Sequence, residues 1–272
     1  VNHHNPYQRA VIRLAGGLLA GWMGLLGLVA PAAAEDRALL VGVGKYRNPG
    51  ANLDGIQLDL AMMQEVATLL GFRQNQIKVI QDEQATLSNV EQAIGTWLTQ
   101  GVAPEDQVLF YFSGHGAQIP DENGDEADGA DEVLVMHDVE VVQRNGRASL
   151  ANVLVDDRFN ELLVRIPSQH ILVMVDACHS GTATKSVSLS PRGLGETEGM
   201  FKFYYYPSMP VTAKSDFSIS EQGDRPGYVA LAAARDDEQA ITTRQGSIFT
   251  LGLRQSIREG RCRPQRPDLS SA

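Results

Sequence analysis

Three short apolar runs, residues 38–43 (ALLVGV), 107–112 (QVLFYF) and 170–176 (HILVMVD), do most to limit what this chain can become. Each is too continuous for a half-exposed strand and too short for a buried helix, so each reads as a strand covered on both faces. Between them lie segments of helical period. Leu58, Ala61, Met62, Val66, Leu69 and Leu70 recur at that spacing and stop at Gly71, which suits a helix C-terminus. Ser88 followed by Glu91 makes a capping box ahead of Val90, Ile94, Trp97 and Leu98, which predicts a second helix running to about Gly101. Asp156 and Asp157 stand where an N-cap belongs, before Phe159, Leu162, Leu163 and Ile166. A short strand at 77–80, a small hairpin strand at 133–136, a late strand at 228–233 (YVALAA) and a closing helix at 248–257 complete the pattern. Strands alternating with helices imply an α/β domain: a mostly parallel central sheet with right-handed crossovers and helices on both faces. Such sheets take ligands at the carboxyl ends of their strands.

The ends of the chain read differently. Arg9 and Arg13 precede an uncharged stretch, 14–34, that closes on Ala32, Ala33 and Ala34 before Glu35 and Asp36. Basic flank, apolar middle and small-residue ending predict a signal peptide over 1–34, with a retained N-terminal anchor as the rival. Export to the periplasm or outside the cell follows in either case, and membrane contact only if that segment is kept. The domain is then 35–260, divided into 37–181, a linker loop at 182–226 rich in Ser, Pro and Gly with an aromatic island at 201–206, and 227–260. The polar, Pro-containing stretch 261–272 reads as a disordered tail. A formal net charge of −10 opposes nucleic acid as a partner. Cys178 and Cys262, the two cysteines present, are too few for a disulfide framework or a multi-cysteine zinc site.

The chemistry sits at two strand tips. The run ending at Phe112 delivers Ser113-Gly114-His115-Gly116, and the run ending at Val175 delivers Asp176-Ala177-Cys178-His179-Ser180-Gly181. A core cysteine has no need of polar, glycine-flanked surroundings at a strand end, whereas a nucleophile does. Strand alternation places Ser113 with His115 and Asp176 with Cys178, so if the two strands are neighbours His115 can take the proton of Cys178. Backbone N–H groups of Gly116 and Cys178 are the natural donors to a developing oxyanion. His179 points to the opposite face on this geometry and is read as a packing residue.

These motifs, FSGHG at 112–116 and DACHSG at 176–181, resemble those of bacterial metacaspases within the caspase-like cysteine peptidases (peptidase C14). The resemblance runs from about Arg37 to Ile257 and includes the late segment 228–240 (YVALAAARDDEQA). It implies a caspase-like three-layer sandwich and a cysteine-type endopeptidase working through a Cys178–His115 pair and a thioester. The nucleophile segment departs from the QAC pattern of animal caspases, so cleavage after aspartate is not implied. Asp59 matches an acidic position that metacaspases carry in the first helix. Together with Asp176, and with Ser113 assisting, it implies a pocket for Arg or Lys at P1, the residue before the scissile bond. The expected partners are therefore protein or peptide substrates with basic P1 residues, acted on by a monomer. Self-cleavage in the linker has Lys185, Arg192, Lys202 and Lys214 as candidate sites.

The reaction needs no cofactor, but the resemblance implies calcium as an activator, held by Asp131, Asp156 and Asp157. The acidic residue expected after the nucleophile is replaced by Lys185. The loop from Asp121 to Glu132 spaces Asp121, Asn123, Asp125 and Glu132 like an EF-hand, yet has Glu126 where that motif requires glycine. The competing reading is a catalytically silent caspase-like scaffold. A G-x-S-x-G hydrolase and a G-x-G-x-x-G dehydrogenase are both unsupported, because neither motif occurs.

Overall fold

The computed structural model describes residues 35–121, 123–124, 126, 129–178, 199–207, 209, 228–234 and 239–261. The expected leader, the tail from 262 on, His179 and most of the linker lie outside these residues. The chain runs β1 (Arg37–Gly42), α1 (Ile56–Leu69), β2 (Ile77–Gln81), α2 (Leu87–Thr96), β3 (Gln107–Ser113), β4 (Gly116–Pro120), β5 (Ala130–Arg144) and β6 (Arg147–Val155). It continues as α3 (Asp156–Val164), β7 (His170–Asp176), β8 (Met200–Phe201), β9 (Tyr228–Ala232), β10 (Ile241–Thr243), β11 (Gly246–Ser247) and α4 (Ile248–Arg258).

The apolar runs form a five-stranded sheet in the order β2-β1-β3-β7-β9, parallel at every pairing. Alternation along each strand feeds two cores. Leu39, Val41, Phe110, Phe112, Val173 and Val175 turn one way, onto Val90 and Ile94 of α2 and Phe159 and Leu162 of α3. Ala38, Leu40, Leu109, Tyr111 and Met174 turn the other, onto Leu60, Met63 and Val66 of α1, with Leu253 and Ile257 of α4 alongside. The rings of Phe110 and Phe159 stand 4.7 Å apart. Each such side chain, fully buried, contributes about 1.5–3 kcal/mol, so both faces of the sheet are held by side-chain burial.

The expected α/β sandwich is thus present, with boundary corrections. Helix α2 is capped by Thr86, whose hydroxyl accepts from the Asn89 N–H at 3.3 Å, and Ser88 lies inside the first turn. It ends at Thr96, short of Gly101. The N-cap of α3 is Val155; Asp156 and Asp157 fall in the first turn, where their charges suit the helix dipole. The strand expected at 133–136 is part of the 15-residue β5, the centre of a separate antiparallel sheet ordered β4-β5-β6. Asn145 and Gly146, at φ 50° and 77°, make the two-residue turn from β5 to β6. A third sheet, β11-β10-β8, carries part of the segment read from sequence as linker.

Candidate active site

Strands β3 and β7 are direct neighbours, and Ser113 pairs in register with Asp176. The two motif-bearing tips therefore leave the sheet side by side. The chain bends at Gly114, whose N–H still bonds the Asp176 carbonyl at 3.3 Å, and strand alternation stops there. Ser113 turns toward Asp59, whereas His115 packs between Tyr46 and Tyr204 with ring centroids 5.0 and 5.9 Å away. The shared face expected for Ser113 and His115 is not kept, because the extended geometry that produces it ends one residue earlier.

On the α1/α4 side lies a fully enclosed acidic pocket. Gly55 starts α1 at φ +83°, with the space a Cβ would need taken by the Thr243 carbonyl. Gly246, at φ +109°, likewise lets its backbone come against Asp59. That close approach brings the Ser247 N–H to Asp59 Oδ1 at 2.6 Å, while Ser113 Oγ donates to Asp59 Oδ2 at 2.8 Å. Asp176 Oδ2 accepts from Thr250 Oγ1 at 2.9 Å, and the Thr250 hydroxyl lies 2.6 Å from that of Tyr111. Into this cage projects Lys202. Its ammonium stands 2.8 Å from Ser113 Oγ, 2.9 Å from Asp176 Oδ1, 3.2 Å from the Asp176 carbonyl and 3.4 Å from Asp59 Oδ2. Burial pushes the Asp59 carboxyl above its ordinary range; Lys202 pulls it down and Asp176 pushes it up again.

The backbone of Lys202 is held as closely as its side chain. Its carbonyl oxygen accepts from the Gly116 N–H at 3.0 Å and the Cys178 N–H at 3.1 Å, and its own N–H donates to the Ala240 carbonyl at 3.1 Å. The preceding residues pair antiparallel with β10, Phe201 opposite Ile241 and Met200 opposite Thr242. The two N–H groups expected to serve an oxyanion thus converge on one carbonyl, that of a lysine whose side chain fills the acidic pocket.

His115 is fixed by groups that carry no motif. Its N–H donates to the Tyr46 hydroxyl at 2.8 Å and its Nε2 lies 2.8 Å from the Ala51 carbonyl. A carbonyl can only accept, so Nε2 bears the hydrogen and Nδ1, buried and without a hydrogen-bond partner among the described residues, keeps its lone pair. Burial pushes the imidazole down to about 4, with the Lys202 charge acting in the same sense and the Ala51 carbonyl opposing it. Cys178 is 2% exposed, its sulfur accepts from the Ala240 N–H at 2.7 Å, and burial pushes the thiol up to about 11. These shifts favour a protonated Cys178 thiol and a neutral His115 imidazole; the sulfur lies 3.3 Å from the Ala240 carbonyl, and among the described residues no hydrogen bond joins it to His115 Nδ1.

Of the residues expected from sequence, Asp59, Ser113 and Asp176 meet in the pocket, and Gly116 and Cys178 meet at the Lys202 carbonyl. Among the candidate self-cleavage residues Lys202 is in the site; Lys185, Arg192 and Lys214 lie outside the described residues. Sequence reasoning missed Tyr46, Ala51, Ala240, Ser247 and Thr250. Tyr46 and Thr250 carried no local signal, and the other three act through backbone atoms.

Asp131, Asp156 and Asp157 lie apart from this site, around the start of α3. Burial pushes Asp156 up to about 7, helped by the charges of Asp157, Asp131 and Glu126 and opposed by the Asp157 N–H. Asp157 Oδ2 accepts from Asn123 Nδ2 at 2.8 Å. Asp121 accepts from the backbone of Asn123, Gly124 and Glu126, capping its own loop rather than facing outward as a ligand. Among the described residues no group of three or more His, Cys, Asp or Glu side chains converges at metal-binding distance.

Comparison with known proteins gives a consistent answer. Residues 35–271 match the caspase domain family. The chain is 33% identical over 230 residues to Metacaspase-1 of Eremothecium gossypii, covering 81% of this chain and 48% of that protein. It is 34% identical over 214 residues to Metacaspase-3 of Arabidopsis thaliana, covering 74% of this chain and 56% of that one. The chain therefore spans about half the length of the curated relatives it matches. A solved structure from Geobacter sulfurreducens shares the fold, with a TM-score of 0.58 at 20% identity over 83% of this chain and 82% of the other.

Proposed function

Because the chain belongs to the caspase domain family, we propose that it is a cysteine endopeptidase that hydrolyses peptide bonds after Lys or Arg and cuts itself after Lys202. One observation carries the reading: a lysine ammonium sits between two buried carboxylates while the carbonyl of the same residue accepts from the Gly116 and Cys178 N–H groups. That is how a substrate's P1 residue would be held, with the Lys202–Phe203 bond as the scissile one. The pocket selects charge. Two buried carboxylates without a cation cost several kcal/mol, so a neutral P1 side chain leaves them uncompensated.

In the proposed mechanism His115 Nδ1 takes the proton of Cys178 and the sulfur attacks the Lys202 carbonyl carbon. Negative charge develops on the oxygen already bonded by Gly116 and Cys178, which is where fixed donors stabilise a transition state most. His115 then gives the proton to the Phe203 nitrogen, the C–N bond breaks, and a thioester remains. Water, deprotonated by the same imidazole, hydrolyses it and restores the thiol. The high thiol and low imidazole values belong to the closed, water-poor site; departure of Lys202 would admit water and bring both toward their ordinary ranges. The proposal includes export of a monomer by way of the leader. No step of the chemistry runs through a metal, and calcium enters as a candidate activator only.

The test is direct. Peptides with Arg, Lys or Asp at P1 are incubated with the full chain and with Cys178→Ala. Cleavage of the basic peptides, and a new terminus at Phe203, are expected for the parent and not for the variant. Full activity in Cys178→Ala would sink the mechanism, and an intact, inert parent chain would leave the scaffold reading.

A further inference from the structure

Resting on the reading of Lys202 as P1, we propose that the leaving-group side of the cleft is a built pair of aromatic subsites, so that the enzyme's substrates carry an aromatic residue directly after the basic one and a second aromatic next to it. The two residues after Lys202 are Phe203 and Tyr204, and both are buried, 4% and 6% exposed. Phe203 packs against Cys178 and Ala240, with Ala233, Ala234 and Met209 alongside, which makes an apolar wall around the sulfur. Tyr204 lies against Tyr46 and edge-on to His115, at centroid distances of 6.1 and 5.9 Å. Its N–H donates to the Gly116 carbonyl at 2.9 Å, so the segment is registered on the same residue whose N–H binds the P1 carbonyl. These walls come from the β1–α1 loop, the β3–β4 bend, the end of β7 and the approach to β10, with Met209 and the Tyr205 ring added from the segment itself.

The other side of the bond is built differently. Met200 is 37% exposed, and it and Phe201 are joined to β10 through backbone pairing. Before the scissile bond, recognition therefore rests on the P1 charge and main-chain hydrogen bonds; after it, recognition rests on side-chain burial. Backbone pairing accepts most sequences, whereas an apolar seat discriminates by the area it buries. Tyr205 is 50% exposed, though its ring meets that of Phe203 edge-on at 4.8 Å, and Tyr206 is buried again with its hydroxyl donating to the Gln118 carbonyl at 2.7 Å; the two positions directly after the bond are the ones packed against Cys178 and His115.

Residues after the scissile bond are part of the leaving amine, so they act on formation of the thioester and not on its hydrolysis. They also act in reverse: an amine that fits the seat can attack the thioester carbonyl, breaking the C–S bond, forming an amide and returning its proton through His115 to the thiol. Both consequences are measurable on self-processed full-length enzyme. Two internally quenched peptides, identical except for Lys-Phe-Tyr against Lys-Gly-Gly, should differ by about tenfold or more in kcat/KM. With a basic-P1 ester substrate, Phe-Tyr-amide should divert more product from hydrolysis to ligation than Gly-Gly-amide at equal concentration. Equal kcat/KM for the two peptides together with equal trapping by the two amides overturns the proposal while leaving basic-P1 cleavage standing. Failure to cut any peptide with Lys or Arg at P1 overturns both.

Discussion

Two regions of this molecule bury clustered carboxylates, and they solve the same electrostatic problem in different ways. In the cleft, Asp59 and Asp176 are completely covered, yet each oxygen facing the pocket meets a hydroxyl, a backbone N–H or the Lys202 ammonium. At the start of α3, Asp156 is 3% exposed, and the neighbouring charges that act on it are those of Asp157, Asp131 and Glu126. The first cluster is organised around a cation supplied by the chain itself; in the second, burial and the neighbouring negative charges raise one member, Asp156, to about 7. A buried acid pair is thus a recognition site only when its hydrogen bonds fix the carboxylates so that a positive charge is the one missing component.

The largest effects should come from breaking the first cluster. Asp59→Asn keeps the shape but removes half the charge, and should lower kcat/KM on Arg or Lys peptides by about a hundredfold or more, as truncating a buried charge pair does. A loss of less than threefold would mean that the pocket does not read charge. Next comes the internal cation. In a Cys178→Ala background, where the chain stays uncut, Lys202→Met leaves two carboxylates facing each other and should destabilise by about 3–5 kcal/mol, seen as a fall in Tm of roughly 6–20 °C.

The second cluster should respond with the opposite sign. A carboxyl whose folded value is raised gives stability that is fully present below its unfolded value, near 4, and lost as pH rises through about 7. Asp156→Asn should therefore stabilise the chain at pH 8, by about 1–3 kcal/mol, with the gain vanishing below about pH 4. Calcium tests the same residue: if it acts there, it should raise the Tm of the parent and not of the variant, and equal Tm with calcium or chelator in the parent would remove calcium from the proposal. The smallest effect sharpens the contrast. His115 has a depressed value, so its contribution is present above about 6.5 and lost as pH falls through about 4. Between pH 7.5 and 5.5 the α3 region should gain protection from hydrogen exchange, while the segment over His115 should lose about 1 kcal/mol of it.

Much of the fold could be read from residue pattern alone, because continuous apolar runs such as 107–112 have few other places to go. The tips of β3 and β7 were legible for the same reason: glycines and polar residues following a buried run mark a strand end. The antiparallel arm was under-read, since β5 is continuously buried only over its first half and becomes a solvated ribbon beyond Val139, with the Asn145-Gly146 turn as its one clear signal. In the site, Asp59 and Asp176 were found, but what makes them a pocket was not. Ser247 acts through a backbone N–H and Ala51 through a carbonyl, and such groups are present at nearly every position of a chain. Lys202 stood among several equivalent candidates until its carbonyl and ammonium could be located at once.

The floor of the pocket joins parts of the chain that are far apart in order of synthesis. Asp59 is anchored by Ser247, 188 positions later, and Asp176 by Thr250. A nascent chain still lacking β11 and α4 has Cys178 and His115 already made but lacks the groups that fix Asp59 and Asp176. On the proposed reading, the pocket for a basic side chain is in this sense assembled last, and a partly made copy would have no means of gripping its neighbours.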